Sequence, residues 1–391
     1  MRPTIVPPRP ISPSGMRSPE PGTRGLESGT PNLNPEPGTR NPEPGASPRI
    51  VALGGGTGLP NVLRGLRPLL YSEDDRAHGM APRDRLVAIV ATSDDGGSSG
   101  KLRAAFNIIP PGDIRNCLAA LSDNHALIAD IFQYRFGAGD GLNGHTLGNL
   151  VLTALADVMN DFPRAVEVAA RVVGAHGTVL PATSEVVTLV AEFEDGRVLT
   201  GETAIAAAGG RIVRVSLIPE RPRYLPETCE VIRRADLIVA GPGSLYTSIL
   251  PPLLVPQVAA AIRQSPGIRV LVANLMTEPG ETDDYSVLEH VLTIERHLEG
   301  QLFDYVIYNT SPIPAHLAAA YAAQHALPIV TGTFELNALE KLGVHPVGVP
   351  LASEHPAGRI RHHPDRLGAA ITALAQRKLG SWRGRAEAGG L

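Results

Sequence analysis

Cysteine is almost missing from this chain of 391 residues. The two present, Cys117 and Cys229, are too few for a disulfide framework, and both lie in apolar helical patterns where a buried thiol is the ordinary state. An excess of charge is missing too. With 35 Lys and Arg against 39 Asp and Glu, no global field recruits nucleic acid or an anionic membrane, so any anion must be held locally. A long unbroken apolar run is the third absence. The stretch from Leu237 to Ile262 is interrupted by Pro242, Pro251, Pro252 and Pro256, whereas a membrane span needs about 20 continuous apolar residues. The N-terminus has no apolar core of the secretory type. These absences predict a cytoplasmic protein with no membrane insertion. No Cys/His cluster has zinc-ligand spacing, no G-x-S-x-G marks a nucleophile elbow, and no other catalytic nucleophile stands out.

What is abundant is glycine and proline. Residues 1–47 repeat Glu-Pro-Gly-Thr-Arg at 20–24 and 36–40 and, in part, at 43–45, with few apolar side chains between. Such a segment cannot offset its own ordering entropy and reads as a disordered low-complexity extension. The repeat ends before the first strand pattern, so a misassigned start is an expectation that an intact mass would check. From Arg49 the texture becomes strand, glycine turn, helix: Ile50 to Leu53, Gly54 to Gly58, then Leu59 to Leu70 at helical spacing. Leu86 to Thr92 reads as a second buried strand, and helical segments follow around 114–136, 146–158 and 163–172. Short alternating runs within 178–215 (Val186 to Phe193, Arg197 to Thr203, Arg211 to Val215), parted by Asp195-Gly196 and Gly209-Gly210, predict an inserted antiparallel β element. Parallel-type strands resume at Leu237 to Ala240, Val270 to Asn274 and Tyr305 to Tyr308. The expected fold is α/β, a Rossmann-like parallel sheet covered by helices, in one domain over 48–375 with a frayed tail at 376–391.

Several motifs sit where such a sheet binds ligands. Gly54-Gly55-Gly56-Thr57-Gly58 joins a buried strand to a helix, the context in which backbone N–H groups and the helix dipole hold phosphate. Leu59 stands where the dinucleotide fingerprint needs its third glycine. Asp94 and Asp95 end the next strand ahead of Gly96-Gly97-Ser98-Ser99-Gly100. Two carboxylates there suit a ribose hydroxyl or a hard cation such as magnesium, or else form a solvated acidic turn capping a helix. Gly100-Lys101 is not a P-loop, because the spacing is one residue short and Leu102 replaces Ser or Thr. In Pro110-Pro111-Gly112-Asp113-Ile114-Arg115-Asn116, Asp113 reads as a helix cap, while Arg115 and Asn116 are left to meet phosphate or sugar. Asn143, His145 and Asn149 lie in or beside a glycine-punctuated loop that can orient a sugar or acyl group. Gly241, Gly243, Ser244 and Thr247 repeat the strand-turn-helix logic in the second half, and Asn274 ends the next strand. Glu278 and Glu281 read as caps of the following helix.

Taken in order, IVALGGGTGL (50–59), TSDDGGSSGKL (92–102), PGDIRNCL (111–118), GHTLGN (144–149), AGPGSLYTSILP (240–251) and NLMTEPGE (274–281) resemble the gluconeogenesis-factor family, over nearly everything from residue 49 to about 375. That CofD-like family is related to 2-phospho-L-lactate transferase, a metal-using enzyme of coenzyme F420 synthesis. The resemblance implies a UDP-sugar ligand, UDP-N-acetylglucosamine, with no established reaction, and a role in cell shape and wall growth on gluconeogenic carbon sources. It implies too that Tyr321 and Arg361 serve the uridine nucleotide, through ring stacking and a charged contact. Otherwise Tyr321 is an amphipathic core residue and Arg361 a solvated loop charge. Residues 1–47 have no counterpart in the family. Two functional readings follow. In one, UDP-sugar binding changes a surface read by cell-wall synthesis or polarity proteins, in a homo-oligomer. In the other, a phosphoryl-linked group is transferred with magnesium held by Asp94 and Asp95.

Overall fold

The computed structural model describes residues 47–78, 81–123 and 127–388, so the N-terminal repeat lies outside the described residues. Twelve strands occur among them: β1 (Ile50–Gly54), β2 (Leu86–Val90), β3 (Thr178–Pro181), β4 (Thr188–Phe193), β5 (Val198–Thr200), β6 (Ile212–Ile218), β7 (Leu237–Ala240), β8 (Ile268–Val272), β9 (Tyr305–Asn309), β10 (His345–Val349), β11 (Ala352–His355) and β12 (Arg359–His362). Seven of them form one sheet in the order β10-β9-β8-β7-β1-β2-β3. Every pairing in it is parallel.

β1 and β2 are buried along their whole length, which is why they read as unbroken apolar runs rather than alternating ones. The pleat still divides them. Ile50, Ala52, Leu86 and Ala88 pack with the Gly58–Leu70 and Pro364–Ala388 helices on one face, and Val51, Leu53, Val87 and Ile89 pack on the other against Leu189, Phe193, Leu217 and Tyr246. Each fully buried Leu or Ile stabilises the fold by roughly 1.5–3 kcal/mol. The second face is thus covered partly by the small antiparallel sheet, order β5-β4-β6, and not by helices alone.

The structure differs from the sequence reading in four places. Thr178–Pro181 does not belong to the antiparallel insertion; it pairs parallel with β2 at the edge of the main sheet. The expected strand over 197–203 stops at Thr200, because Gly201 adopts φ +92° and an alanine-rich helix, Glu202–Ala208, follows. The hairpin β11–β12 has no sequence counterpart in short alternating runs. The tail expected to fray from 376 continues the helix that starts at Pro364, as far as Ala388.

That last helix decides where the site forms. It crosses the Gly58–Leu70 helix at Gly65 and Gly368: a Cβ on Gly65 would stand 2.0 Å from the Pro364 carbonyl oxygen, and one on Gly368 2.3 Å from that of Gly65. Only backbone fits at this crossing. The close approach brings β12, which ends just before the helix, against the first glycine turn some 300 residues earlier in the chain. Among the described residues no single helix is long and apolar enough to cross a membrane.

Candidate functional site

The strand order reverses at β1: the chain runs outward through β2 and β3, then returns to add β7 on the other side. Both glycine turns follow the two strands at this switch point, where open α/β sheets leave a crevice for ligands. They touch directly. A Cβ on Gly58 would lie 1.9 Å from the Pro242 carbonyl oxygen, so glycine at 58 is required by the approach of the second turn. Gly56, at φ +59°, takes the left-handed conformation that the first turn needs.

One expected donor of each turn is already engaged. Gly56 N–H donates to Asp113 Oδ2 at 2.6 Å. Asp113 therefore does not cap its helix, whose N-cap is Pro111; it ties that helix to the first turn. Burial pushes its pKa up to about 6, and the nearby Asp94 adds to the shift. At the second turn, Gly243 N–H donates to Asn274 Oδ1 (3.1 Å) and Asn274 Nδ2 donates to the Gly243 carbonyl (2.8 Å), a two-point lock. Ser244 Oγ donates to Glu281 Oε2 at 2.6 Å and accepts from Thr247 N–H. Glu281 and Glu278 thus face the second turn rather than capping the next helix, which Ser286 caps. Burial, and then Glu281, with which it shares a hydrogen bond, push Glu278 up to about 7.

Between the turns lies a cleft of about 440 Å³. Of the expected residues it brings together Gly56, Thr57, Gly58, Gly243, Ser244, Asn274, Tyr321 and Arg361. Arg361 Nη1 donates to Thr57 Oγ1 at 2.7 Å, and the Tyr321 hydroxyl accepts from Ile360 N–H, which sets the ring beside β12. His362 is buried beneath, its Nε2 on the Ala273 carbonyl, and burial holds it down at about 4, so it is neutral at neutral pH. Asn61 fixes the same strand by donating to the His362 carbonyl. Asn61 is absent from the residues expected from the sequence, and Glu278 was expected only as a helix cap; a polar residue on the buried face of the first helix, and two carboxylates three apart after a strand, were the available signals.

Other expected residues lie outside the cleft lining. Gly54, Gly55 and Gly241 shape the turns from behind, and Thr247 is buried in the turn that follows. Asp95 Oδ1 accepts from the N–H and hydroxyl of Thr203, anchoring the Glu202–Ala208 helix. Asp94 accepts from Gly96 N–H. Asp94, Asp95, Asp113 and Glu202 lie close enough to interact, and burial followed by the charge of Asp94 pushes Glu202 up to about 9. Among the described residues no three His, Cys, Asp or Glu are placed to hold a metal ion.

Arg115 is the centre of a buried network. Its guanidinium donates to Thr146 Oγ1, to Asn149 Oδ1 (3.0 Å) and to Asn116 Oδ1 (2.7 Å). Asn149 Nδ2 donates to Ser98 Oγ, which also bonds His145 Nδ1, each at 3.0 Å. Burial, and then Arg135, lower Arg115 to about 10. This network positions the helices behind the first turn. Asn143 is exposed in its loop and lines no part of the cleft.

Comparison with known proteins places this geometry among relatives. The family model described as 2-phospho-L-lactate transferase CofD matches residues 50–352. The chain is 42% identical to the gluconeogenesis factor of Bacillus subtilis over 327 residues, 84% of this chain and 98% of that protein. It is 43% identical to the gluconeogenesis factor of Halalkalibacterium halodurans over 290 residues, 74% and 86% of the two chains. A crystal structure of a UPF0052-family member from Bacillus halodurans superposes with a TM-score of 0.76 at 40% identity, covering 83% of this chain and 99% of that one.

Proposed function

The chain belongs to the CofD family, among its gluconeogenesis factors, and from that premise we propose that it binds a UDP-sugar, UDP-N-acetylglucosamine, in the cleft between the two glycine turns. One observation carries this reading: the aromatic ring of Tyr321 and the guanidinium of Arg361 line the same cleft as both turns, at the switch point of the sheet. A uracil ring stacks on a tyrosine, and a diphosphate pairs with a guanidinium by charge-assisted hydrogen bonds. Gly56 and Gly243 donate elsewhere, so the diphosphate is met by the charge of Arg361 and by the other N–H groups of the turns. Arg361 leaves Thr57 to meet the ligand, so occupancy is communicated to the β11–β12 hairpin and the Pro364–Ala388 helix. That is the surface through which the protein acts on cell-wall growth and morphogenesis under gluconeogenic conditions, in the cytoplasm and as a homo-oligomer.

The family model's description supports a second reading, transfer of a phosphoryl-linked group. Its magnesium would need Asp94 and Asp95 together, but Asp95 is held by Thr203, and no three-ligand set surrounds the pair among the described residues. Calorimetric titration with UDP-N-acetylglucosamine, with and without magnesium, decides between the readings. Saturable binding indifferent to magnesium, with the ligand recovered intact, supports the first. Magnesium-dependent turnover replaces it with the second.

A further inference from the structure

A second cavity, of about 410 Å³, adjoins the cleft on the far side of Arg361. The two share Thr57, Asn61, Arg361 and His362, and the Arg361–Thr57 hydrogen bond stands at their boundary. The second cavity alone is lined by Arg64, Asn116 and Glu354. Its charge is not balanced. Arg64 projects from the solvent side of the Gly58–Leu70 helix, and among the described residues it has neither a hydrogen bond nor a carboxylate partner. Arg64 and Arg361 line the same cavity, and partial burial, then the charge of Arg361, hold the Arg64 pKa below the ordinary value. The single carboxylate of the lining, Glu354, is directed to His316 at 3.3 Å.

The Arg115 network supplies the third element. A guanidinium has donors only, so the atom of Asn116 that meets Arg115 Nη2 at 2.7 Å must be its carbonyl oxygen. That fixes the amide orientation and leaves Asn116 Nδ2 as a donor with no partner among the described residues, on a residue that lines the cavity. Two cations and an oriented N–H₂ around one space match a tetrahedral oxyanion, which offers several acceptors at once and suits guanidinium geometry.

We propose that this second cavity is a separate binding site for the phosphate group of a small metabolite, held by Arg64, Arg361 and the Nδ2 of Asn116. It goes beyond the nucleotide-sugar reading and does not require it. If both ligands bind, they share Arg361, so each weakens the other without displacing it.

The test is calorimetric titration of the full chain with inorganic phosphate, alone and saturated with UDP-N-acetylglucosamine, for wild type, Arg64→Gln and Asn116→Asp. The aspartate keeps the oxygen that faces Arg115 but removes the donor. The expected result is saturable phosphate binding in wild type that persists under saturating nucleotide, weakened at least tenfold in each variant at an unchanged melting temperature. The proposal is overturned if wild type binds no phosphate, if the nucleotide displaces phosphate one for one, or if both variants bind as wild type does. Should UDP-N-acetylglucosamine give no heat, the nucleotide reading fails, and the nucleotide-free arm still decides this site through Arg64→Gln, since Arg64 lines only the second cavity.

Discussion

The two glycine turns look alike in sequence and differ in what holds them. The first, after β1, is tied through a carboxylate: Asp113 accepts from Gly56, and Thr57 accepts from Arg361. The second, after β7, is tied at its glycine through an amide, Asn274, which both donates to and accepts from Gly243, with a carboxylate, Glu281, reached only through the hydroxyl of Ser244. An amide lock has no charge to lose and does not respond to pH or to an anion. A lock built from a carboxylate whose pKa lies near 6 and an arginine borrowed from a distant strand responds to both. The second turn is the fixed wall of the cleft, and the first is the wall that can change.

The largest effect comes from destroying the contact between the walls. In Gly58→Ala the new methyl would meet backbone, the Pro242 carbonyl at 1.9 Å, and neither chain can yield without moving its strand end. Overpacking of this kind costs about 3 kcal/mol or more, read as a lower urea midpoint with binding lost in parallel. Next is the acid stability of the hairpin anchor. His362 is held at about 4 by burial, below the ordinary value near 6.5. A depressed histidine pKa means that the unfolded chain binds the extra proton, so its contribution is fully present above about 6.5 and is lost as pH falls toward 4. Replacing His362 with Gln, which retains a donor for the Ala273 carbonyl, should flatten the melting temperature across that window; an unchanged slope would place the titration elsewhere. Arg361→Ala, which removes a charged contact from the movable wall only, is expected to weaken UDP-N-acetylglucosamine by about ten- to a hundredfold, with a small change in melting temperature. Asn274→Ala, on the fixed wall, should show the reverse balance: about 1–3 kcal/mol of stability lost for the unsatisfied Gly243 groups, and affinity following only through the loosened turn.

The sheet was legible because its strands are buried on both faces and punctuated by glycine: the sequence marks β1, β2, β7 and β9 within a residue or two at most ends. The end of the chain was not. β12 reads Arg-Ile-Arg-His, and only its tertiary position, under Asn61 and beside Tyr321, gives it a role. The glycine turns could be found as motifs, but their engaged N–H groups could not, because Asp113 and Asn274 reach them from other elements. Asp113 and Glu281 each carry the signature of a helix cap, and local reading assigns them to it. A long-range partner overrode that assignment in both cases.

The smallest and most discriminating effect concerns Glu278, on the fixed wall. Its carboxyl, pushed up to about 7, is faced by Glu281 and Ser244 from its own side, and by Tyr321, Arg361 and the neutral His362 across the cleft. A diphosphate brought into this space favours the protonated form, so binding takes up a proton wherever the free protein has lost it. Affinity should therefore hold below pH 7 and fall as pH rises above it, by at most about tenfold per pH unit for one proton. Glu278→Gln, neutral throughout, should bind with the same affinity from pH 7 to 9. A residual slope nearer pH 6 would survive in this variant, because Asp113 titrates there behind Gly56. If the alkaline slope persists without Glu278, the responsive wall is the first turn alone. If it vanishes, the amide-locked wall also carries a protonic group, and the contrast between the turns lies in their backbone ties and not in their chemistry toward the ligand.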